Sequence, residues 1–222
     1  MNALNLIDYL RRWKNINEQC SLAMWALDNF SDDNYSMQEY LKLNTQSEES
    51  KRKIDEGHLD KNLEKLTDDI DRTYNGVRQN TIILHLASFE NFTKEIHRKL
   101  LNLNNKWLKG EKIIPIEKLV NQGYESVISE CIEKEVHGLD RKTIKERSNL
   151  FKRFIGIGFE DDSIKIDDLK NISDLRNKIL HGDPHLEVLD TQVEKTSNVC
   201  LMISINLFTH SKERCPEGFV IN

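Results

Sequence analysis

The amino-acid sequence predicts an all-α fold. Nine glycines and three prolines in 222 residues are too few for the many turns of an all-β sandwich. Charged residues make up 31% and hydrophobic residues 38% of the chain, a balance that is typical of long amphipathic helices. Apolar residues also recur at helical spacing through most of the sequence. Because the sequence contains no internal repeat and no Pro/Ser-rich linker, we interpret residues 1–222 as one domain.

The first half of the chain is predicted to contain two long helical stretches. The first spans 4–29, where six apolar residues repeat at helical spacing: Leu6, Leu10, Trp13, Leu22, Trp25 and Ala26. A second stretch runs from 37 to 101. Its part up to Lys65 is strongly charged, so we expect an exposed arm or a loose hairpin with a break at Gly57. Its part from 68 to 101 has a wide apolar face and is predicted to be the core helix.

The second half of the chain is predicted to be helical as well. A helix over 116–136 is expected to place six residues inward: Leu119, Val120, Tyr124, Val127, Ile128 and Ile132. Further helices are predicted over three ranges: 140–154, 166–180 and about 186–210. Glycines that favour the end of a helix follow the first two of these ranges, at Gly156 and Gly182.

Composition limits the classes of function. The formal net charge is −5, which excludes a strongly basic, non-specific nucleic-acid binder, because phosphate contacts dominate that affinity. The four cysteines form no CxxC pair, which predicts free thiols in a reducing cytoplasm. Neither a signal peptide nor a membrane span is expected. No cluster of ligand residues predicts a metal ion or another cofactor.

The most informative segment runs from Asp168 to Pro184 and reads DLKNISDLRNKILHGDP. Three apolar residues at helical spacing are expected to form its buried stripe: Ile172, Leu175 and Ile179. Three polar residues fall off that stripe and form a cluster at the helix end: Arg176, Asn177 and His181. A helix C-terminus favours a cation, so His181 suits a general acid. Arg176 offers donors for a phosphate, and Asn177 can orient a neighbouring group or a ribose hydroxyl.

Taken alone, this pattern also suits a purely structural helix end. His181 would then be a C-cap before Gly182, and Arg176 would pair on the surface with Asp174 or Glu187. Other polar residues lie on the predicted core helix. Glu90 and Asn91 are candidate supporting residues if that helix packs beside the cluster. His85 is expected in the core, and His97 is expected on a solvated face.

The segment RNKILH at 176–181 resembles the RNxxxH form of the motif that marks the HEPN superfamily, in which a glycine often follows, as Gly182 does here. The helix order is similar too, because a short motif helix precedes a long final helix. Residues 83–101, ILHLASFENFTKEIHRKLL, resemble the long second helix of such bundles. The resemblance covers about 68–210. Residues 1–67 are interpreted as an additional N-terminal helical segment.

This resemblance implies a HEPN-like helical bundle that forms a homodimer and brings two motifs together. Nucleases of the family cut RNA without a metal ion, by attack of the 2′-hydroxyl that leaves a cyclic phosphate. The resemblance therefore implies an endoribonuclease, a toxin or an antiviral effector, with Arg176, Asn177 and His181 as catalytic residues and RNA as the substrate. An antitoxin or another defence-system protein would be a further partner. The last helix, apolar nearly all round, offers material for the dimer interface.

The alternative is a non-catalytic HEPN module that binds RNA, a nucleotide or a partner protein. The intact motif favours the enzyme, since a scaffold needs neither Arg176 nor His181. The acidic balance of the chain and its charged segment near 48–65 keep the binding module open.

Overall fold

A computed structural model of the chain describes residues 4–32, 60–108, 116–160, 164–183 and 185–221. These residues confirm the predicted all-α class. The helices are α1 (Leu6–Asp32), α2 (Asp60–Leu103), α3 (Ile116–Gln122), α4 (Tyr124–His137), α5 (Ile144–Ile155), α6 (Ile166–Leu180) and α7 (Asp190–Arg214). Two short strands, β1 (Leu4–Asn5) and β2 (Phe219–Val220), pair in parallel. None of the helices within the described ranges has an apolar stretch long enough to cross a bilayer.

The core forms around α2, which packs against α1 and α7. The ring of Phe92 on α2 stacks on Tyr9 of α1, with 4.0 Å between the centroids, and on Phe208 of α7 at 6.3 Å. Ile96 and Leu100, on the same helix, have no exposed surface. Burial of one such large apolar side chain contributes about 1.5–3 kcal/mol. This contact of three helices therefore provides a rigid support for the elements that carry the motif.

Helix α5 is fixed by its own sequence and by the loop that follows it. The Thr143 hydroxyl accepts a hydrogen bond from the Glu146 N–H at 3.2 Å, and the Glu146 carboxylate accepts one from the Thr143 N–H at 2.7 Å. This reciprocal pair is a capping box. After the helix, the Phe159 N–H donates to the buried Ser148 hydroxyl at 2.9 Å. The loop therefore lies against α5 and inserts the Phe159 ring into the core, where it contacts α2 through Phe89.

The predicted helix over 116–136 is interrupted. Gly123 adopts φ 77°, a backbone conformation that other residues rarely adopt, and it separates α3 from α4. The prediction that Val120 and Tyr124 point inward is wrong, since they are 76% and 61% exposed on the two sides of this break. Helix α5 begins at Ile144 instead of 140, because Thr143 caps it. Helix α7 begins at Asp190 instead of about 186, and it ends at Arg214.

The N-terminal helices also differ from the prediction. Leu22 and Trp25 belong to the apolar spacing that predicts α1, and they are 64% and 62% exposed. Spacing shows which residues share a face of a helix, but it does not show how far a neighbouring helix extends along that face. The core helix begins at Asp60, before the predicted 68. The predicted break at Gly57 and most of the charged arm fall on 33–59, outside the described residues.

The two histidines of α2 are both buried, so His85 confirms its prediction and His97 contradicts it. His97 has no exposed surface and stacks on Phe154 of α5, with 5.4 Å between the ring centroids. Burial is the main cause that lowers the pKa of His97 to about 3 and that of His85 to about 4. The charged neighbours of His97 misled the prediction, because Lys94 and Arg98 reach acidic side chains at the edge of the bundle. Neither buried histidine is a candidate for proton transfer to a substrate.

Candidate active site

The predicted motif lies at the C-terminal end of α6, whose bounds agree with the prediction. Leu169 in the first turn is 1% exposed, and Asp168 beside it accepts a salt bridge from Lys195 of α7 at 2.6 Å. At the other end Gly182 adopts φ 70°, and its N–H donates to the carbonyl of Ile179 at 3.0 Å. Contacts with α2, α5 and α7 hold the helix between these two ends.

His181 is the C-cap of α6, and its side chain is exposed. Its backbone N–H donates to the Asn177 carbonyl at 2.9 Å, and the Asp183 N–H donates to the Lys178 carbonyl at 3.3 Å. Together with Gly182 these bonds form a Schellman end. The imidazole makes no hydrogen bond to any residue that the structure describes. A ligand can therefore reach it at a helix end that favours a cation.

Arg176 points toward the bundle and not toward solvent. Its side chain is 24% exposed, and Nη1 lies 3.3 and 3.4 Å from the two carboxylate oxygens of Glu90 on α2. Nη2 donates to Oδ1 of Asn177 at 3.3 Å. Nε is buried and has no partner among the described residues. A purely structural helix end was expected to pair Arg176 on the surface with Asp174 or Glu187. Arg176 instead contacts Glu90 on the core helix.

Glu90 is shared between two arginines. Nη1 of Arg147, on α5, lies 3.5 Å from Oε1 of Glu90. The Arg147 side chain is 15% exposed, and its Nε donates to the Lys142 carbonyl at 3.1 Å. Helices α2, α5 and α6 thus each contribute one charged side chain to a cluster: Glu90, Arg147 and Arg176. Glu90 was expected to support the motif if the core helix packs beside it. The core helix does pack beside the motif.

Asn91, the other candidate supporting residue, does not join this cluster. One residue along an α-helix rotates a side chain by about 100°. Asn91 is exposed, and it lines a separate cleft between α1, α2 and α4 together with Arg12 and His137. It makes no contact with Arg176 within the described part of the chain.

Arg176 and His181 do not contact each other within one chain. They are five positions apart, which corresponds to about 7.5 Å along the helix and about 140° around it. Asn177 lies between them in sequence and lines a groove between α6 and α7 with Lys178 and Gln192. A substrate that uses both groups must therefore extend across the end of α6, or use the imidazole of a second copy of the chain.

Sequence reasoning missed Arg147. A signal was present, since Arg147 shares one stripe of α5 with Phe151 and Phe154, at helical spacing. Both of these rings are buried. A cation on an apolar stripe needs a buried counter-charge. Glu90, which lies next to the buried Phe89 on α2, meets that need.

The residues that commonly bind metals are dispersed. Within the described ranges, no group of three or more His, Cys, Asp and Glu side chains is placed to hold a metal ion. All four cysteines carry free thiols, and Cys200 and Cys215 are buried. Burial raises the pKa of the Cys200 thiol well above its usual range, so it is not poised as a nucleophile.

Comparison of the chain with protein-family models, with curated proteins and with solved structures gives no significant match. The HEPN resemblance therefore rests on the motif residues and on the order of the helices, and it stays a prediction.

Proposed function

We propose that the chain is a HEPN-type, metal-independent endoribonuclease with Arg176, Asn177 and His181 as its catalytic residues. One observation carries this proposal. At the end of α6 the His181 imidazole is exposed and has no hydrogen-bond partner among the described residues. It lies about 7.5 Å along the helix from the Arg176 guanidinium, which Glu90 contacts from the core helix. A purely structural helix end requires neither the unpaired imidazole nor the partly buried guanidinium.

The proposed reaction is a transesterification within RNA. The 2′-oxygen of a ribose forms a bond to the adjacent phosphorus and gives its proton to a neutral imidazole. The bond from phosphorus to the 5′-oxygen breaks, and a protonated imidazole donates a proton to that leaving oxygen. The products carry a 2′,3′-cyclic phosphate and a 5′-hydroxyl. Arg176 would donate hydrogen bonds to the phosphate oxygens, where negative charge increases during the transfer.

This scheme uses two imidazoles, one as the base and one as the acid, so we propose a homodimer in which two copies of His181 line one cleft. Exposed apolar side chains flank the motif. Leu180, next to His181, is 61% exposed, and Leu189, just before α7, is 54% exposed. In the proposed dimer the second copy of the chain would cover this apolar surface.

Helix α7 supports the dimer less than its sequence suggested. Three of its apolar residues, Ile203, Leu207 and Phe208, are buried within the protomer. Met202 is exposed at 44% and can contribute to an interface. We therefore place the proposed two-fold contact at the end of α6, where it also brings the motifs together.

The experiment that tests this function is cleavage of total RNA by the purified protein in excess EDTA, with the product ends identified by mass spectrometry. We expect cleavage in the chelator and 2′,3′-cyclic phosphate ends. Loss of cleavage in EDTA that a divalent ion restores would contradict the mechanism. Binding of RNA without any cleavage would favour the non-catalytic HEPN module instead.

The same resemblance supports a role as a toxin or antiviral effector in the cytoplasm, with an antitoxin or another defence protein as a partner. The free thiols agree with a reducing compartment. Expression of the wild-type chain should slow the growth of host cells, and the His181→Ala variant should not. Equal growth with both chains would contradict the role as a toxin.

A further inference from the structure

Arg147 is the cation of the Glu90, Arg147 and Arg176 cluster that the proposed reaction does not use. Its guanidinium is little exposed, and such a charge requires a counter-charge. Its carboxylate partner, Glu90, is also the partner of Arg176. One negative charge therefore faces two positive charges, and the cluster carries a positive surplus.

The contacts within this cluster are long. Glu90 lies 3.3–3.5 Å from the nitrogens of the two arginines. Elsewhere in the chain Arg98 binds Glu133 through two bonds of 2.6 and 3.0 Å. Charge-assisted hydrogen bonds of this kind are normally about 2.7–2.9 Å long. Glu90 therefore binds the two guanidiniums only through long contacts, each made by Nη1, and both arginines keep N–H donors for a second anion.

A cleft of about 190 Å³ opens beside the cluster. Its polar lining consists of Glu90, Lys142, Thr143, Arg147, Ser173 and Arg176. Pockets for drug-sized ligands measure about 300–1,000 Å³, so this cleft fits one small group and not a whole nucleotide. Lys142 lies 3.8 Å from Glu135 outside the cleft, so the charge balance is set by Arg147, Arg176 and Glu90. Two guanidiniums against one carboxylate favour an anionic group. A phosphate group has the charge and the oxygen acceptors that match two guanidinium forks.

We infer that this cleft is a phosphate-binding subsite for the RNA backbone, in which Arg147 contacts a phosphate oxygen beside Arg176. The inference rests on the proposed ribonuclease function, since Arg176 belongs to both. Each protomer supplies two guanidiniums to the phosphates of its substrate, so charge stabilisation does not depend on the arginines of a second copy.

The test measures the binding of a short fluorescein-labelled single-stranded RNA to full-length His181→Ala protein, over a range of salt concentrations. Adding Arg147→Gln should weaken binding about tenfold at low salt, because a charge-assisted bond is lost. It should also make the negative slope of log K, the association constant, against log salt less steep by about 0.7. This is the value for one phosphate contact on a single strand. The matched control is Arg153→Gln. Arg153 belongs to the same helix as Arg147, but its guanidinium lies over the Phe154 ring and outside the cleft. The control should leave the slope unchanged.

Equal slopes for the Arg147→Gln and Arg153→Gln proteins overturn the inference, as does a parent protein that does not bind RNA. Inorganic phosphate is the second probe. If Arg147→Gln abolishes its binding and leaves RNA binding unchanged, the cleft takes free phosphate and the RNA subsite is wrong. A wild-type protein that binds RNA through Arg147 but never cleaves it refutes the ribonuclease and leaves the subsite standing.

Thermal unfolding establishes that each variant is folded. If Arg147→Gln shows no cooperative transition, Ser173→Asp carries the test, because it places a carboxylate in the cleft lining, where it competes with a phosphate for the two guanidiniums. The same decrease in the steepness of the slope is therefore expected. An unchanged slope in that variant overturns the inference.

Discussion

Replacement of Glu90 by Gln tests whether this carboxylate positions Arg176. The change keeps the size of the side chain and removes its charge. It leaves Arg147 and Arg176, which contacted one carboxylate at 3.5 Å and at 3.3–3.4 Å, without a common counter-charge. We expect the two guanidiniums to repel each other and Arg176 to leave its position at the end of α6.

The magnitude follows from the distances and the exposure. Two unit charges about 4 Å apart interact by about 4 kcal/mol at an effective dielectric constant of about 20. Solvent reaches both groups, since Glu90 and Arg176 are each 24% exposed, and their hydrogen bonds are long. A hydrogen bond to a charged group contributes about 1.5–3 kcal/mol net, so we expect a coupling energy at the lower end of that range, about 1.5–2 kcal/mol.

The assay is a double-mutant cycle of Glu90→Gln and Arg176→Gln, measured by urea unfolding, with RNA cleavage measured in parallel. Cleavage by the Glu90→Gln protein should fall about 10- to 100-fold, because a displacement of about 1 Å in an active site can cost 100-fold. Glu133→Gln is the control, since it removes one of the two carboxylate partners of Arg98, away from the motif, and should leave cleavage unchanged. Additive effects within about 0.3 kcal/mol, with wild-type cleavage, would refute the positioning role.

Three further variants test the core, the loop after α5 and the dimer, and a fourth is a matched control for the loop. Burial lowers the pKa of His97 to about 3 in the folded state, whereas in the unfolded chain it is about 6.5. As the pH falls below about 6.5, His97 therefore binds a proton in the unfolded chain only, and the folded state loses stability. His97→Phe should reduce this loss in urea unfolding between pH 6 and 4, by up to about 1.4 kcal/mol per pH unit. A Cβ on Gly158 would lie 2.3 Å from Oγ of Ser148, so Gly158→Ala should lower the free energy of unfolding by about 1–3 kcal/mol. Gly76→Ala, on α2 with nothing within 4 Å of its Cβ, should raise that free energy by about 0.5–1 kcal/mol. Leu180→Asp places a charge in the proposed interface, and light scattering should show a monomer without RNase activity.

Each of these expectations has an outcome that contradicts it. If the unfolding free energy of the His97→Phe protein depends on pH as in the wild type, the loss of stability in acid comes from other groups, such as His85. Equal unfolding free energies for the two alanine variants would mean that the loop after α5 is not closely packed on Ser148. A Leu180→Asp protein that remains a dimer with full activity would place the interface elsewhere.

Local sequence determines the motif helix, and for this reason it could be predicted closely. The apolar stripe of α6 and the glycine after His181 set its bounds at 166 and 180, and the structure has the same bounds. Asp168 lies at its start, where an acidic residue favours a helix, and Gly182 terminates it with a positive φ. The all-α class was equally accessible, because it depends on composition and periodicity alone.

Contacts between residues that are distant in sequence could not be predicted in the same way. Glu90 and Arg147 are 57 residues apart in sequence, and no local pattern reveals that α2 and α5 bring them together. The same limit applies to His97, whose charged neighbours suggested solvent although the Phe154 ring covers it. The break at Gly123 interrupts an apolar pattern that continues across it, so periodicity predicted one helix where the chain has two.

For the candidate site, the sequence therefore predicted the three motif residues and the structure added their surroundings. Arg176 was expected to lie off the apolar stripe, and its contact with Glu90 shows that it faces the bundle. Asn91 follows Glu90 in sequence but faces another cleft, because neighbouring residues on a helix point in different directions.

The central claim is that His181 transfers a proton during RNA cleavage, and the most direct measurement compares cleavage rates of two alanine variants in excess EDTA. His181→Ala removes the imidazole at the end of α6, and His137→Ala removes another exposed histidine at the end of a helix, α4. We predict that His181→Ala lowers the rate at least 100-fold, since general acid–base catalysis contributes about 10²–10⁴-fold. His137→Ala should cleave at the wild-type rate, and both proteins should retain the wild-type unfolding transition. Wild-type cleavage by the His181→Ala protein would contradict the account.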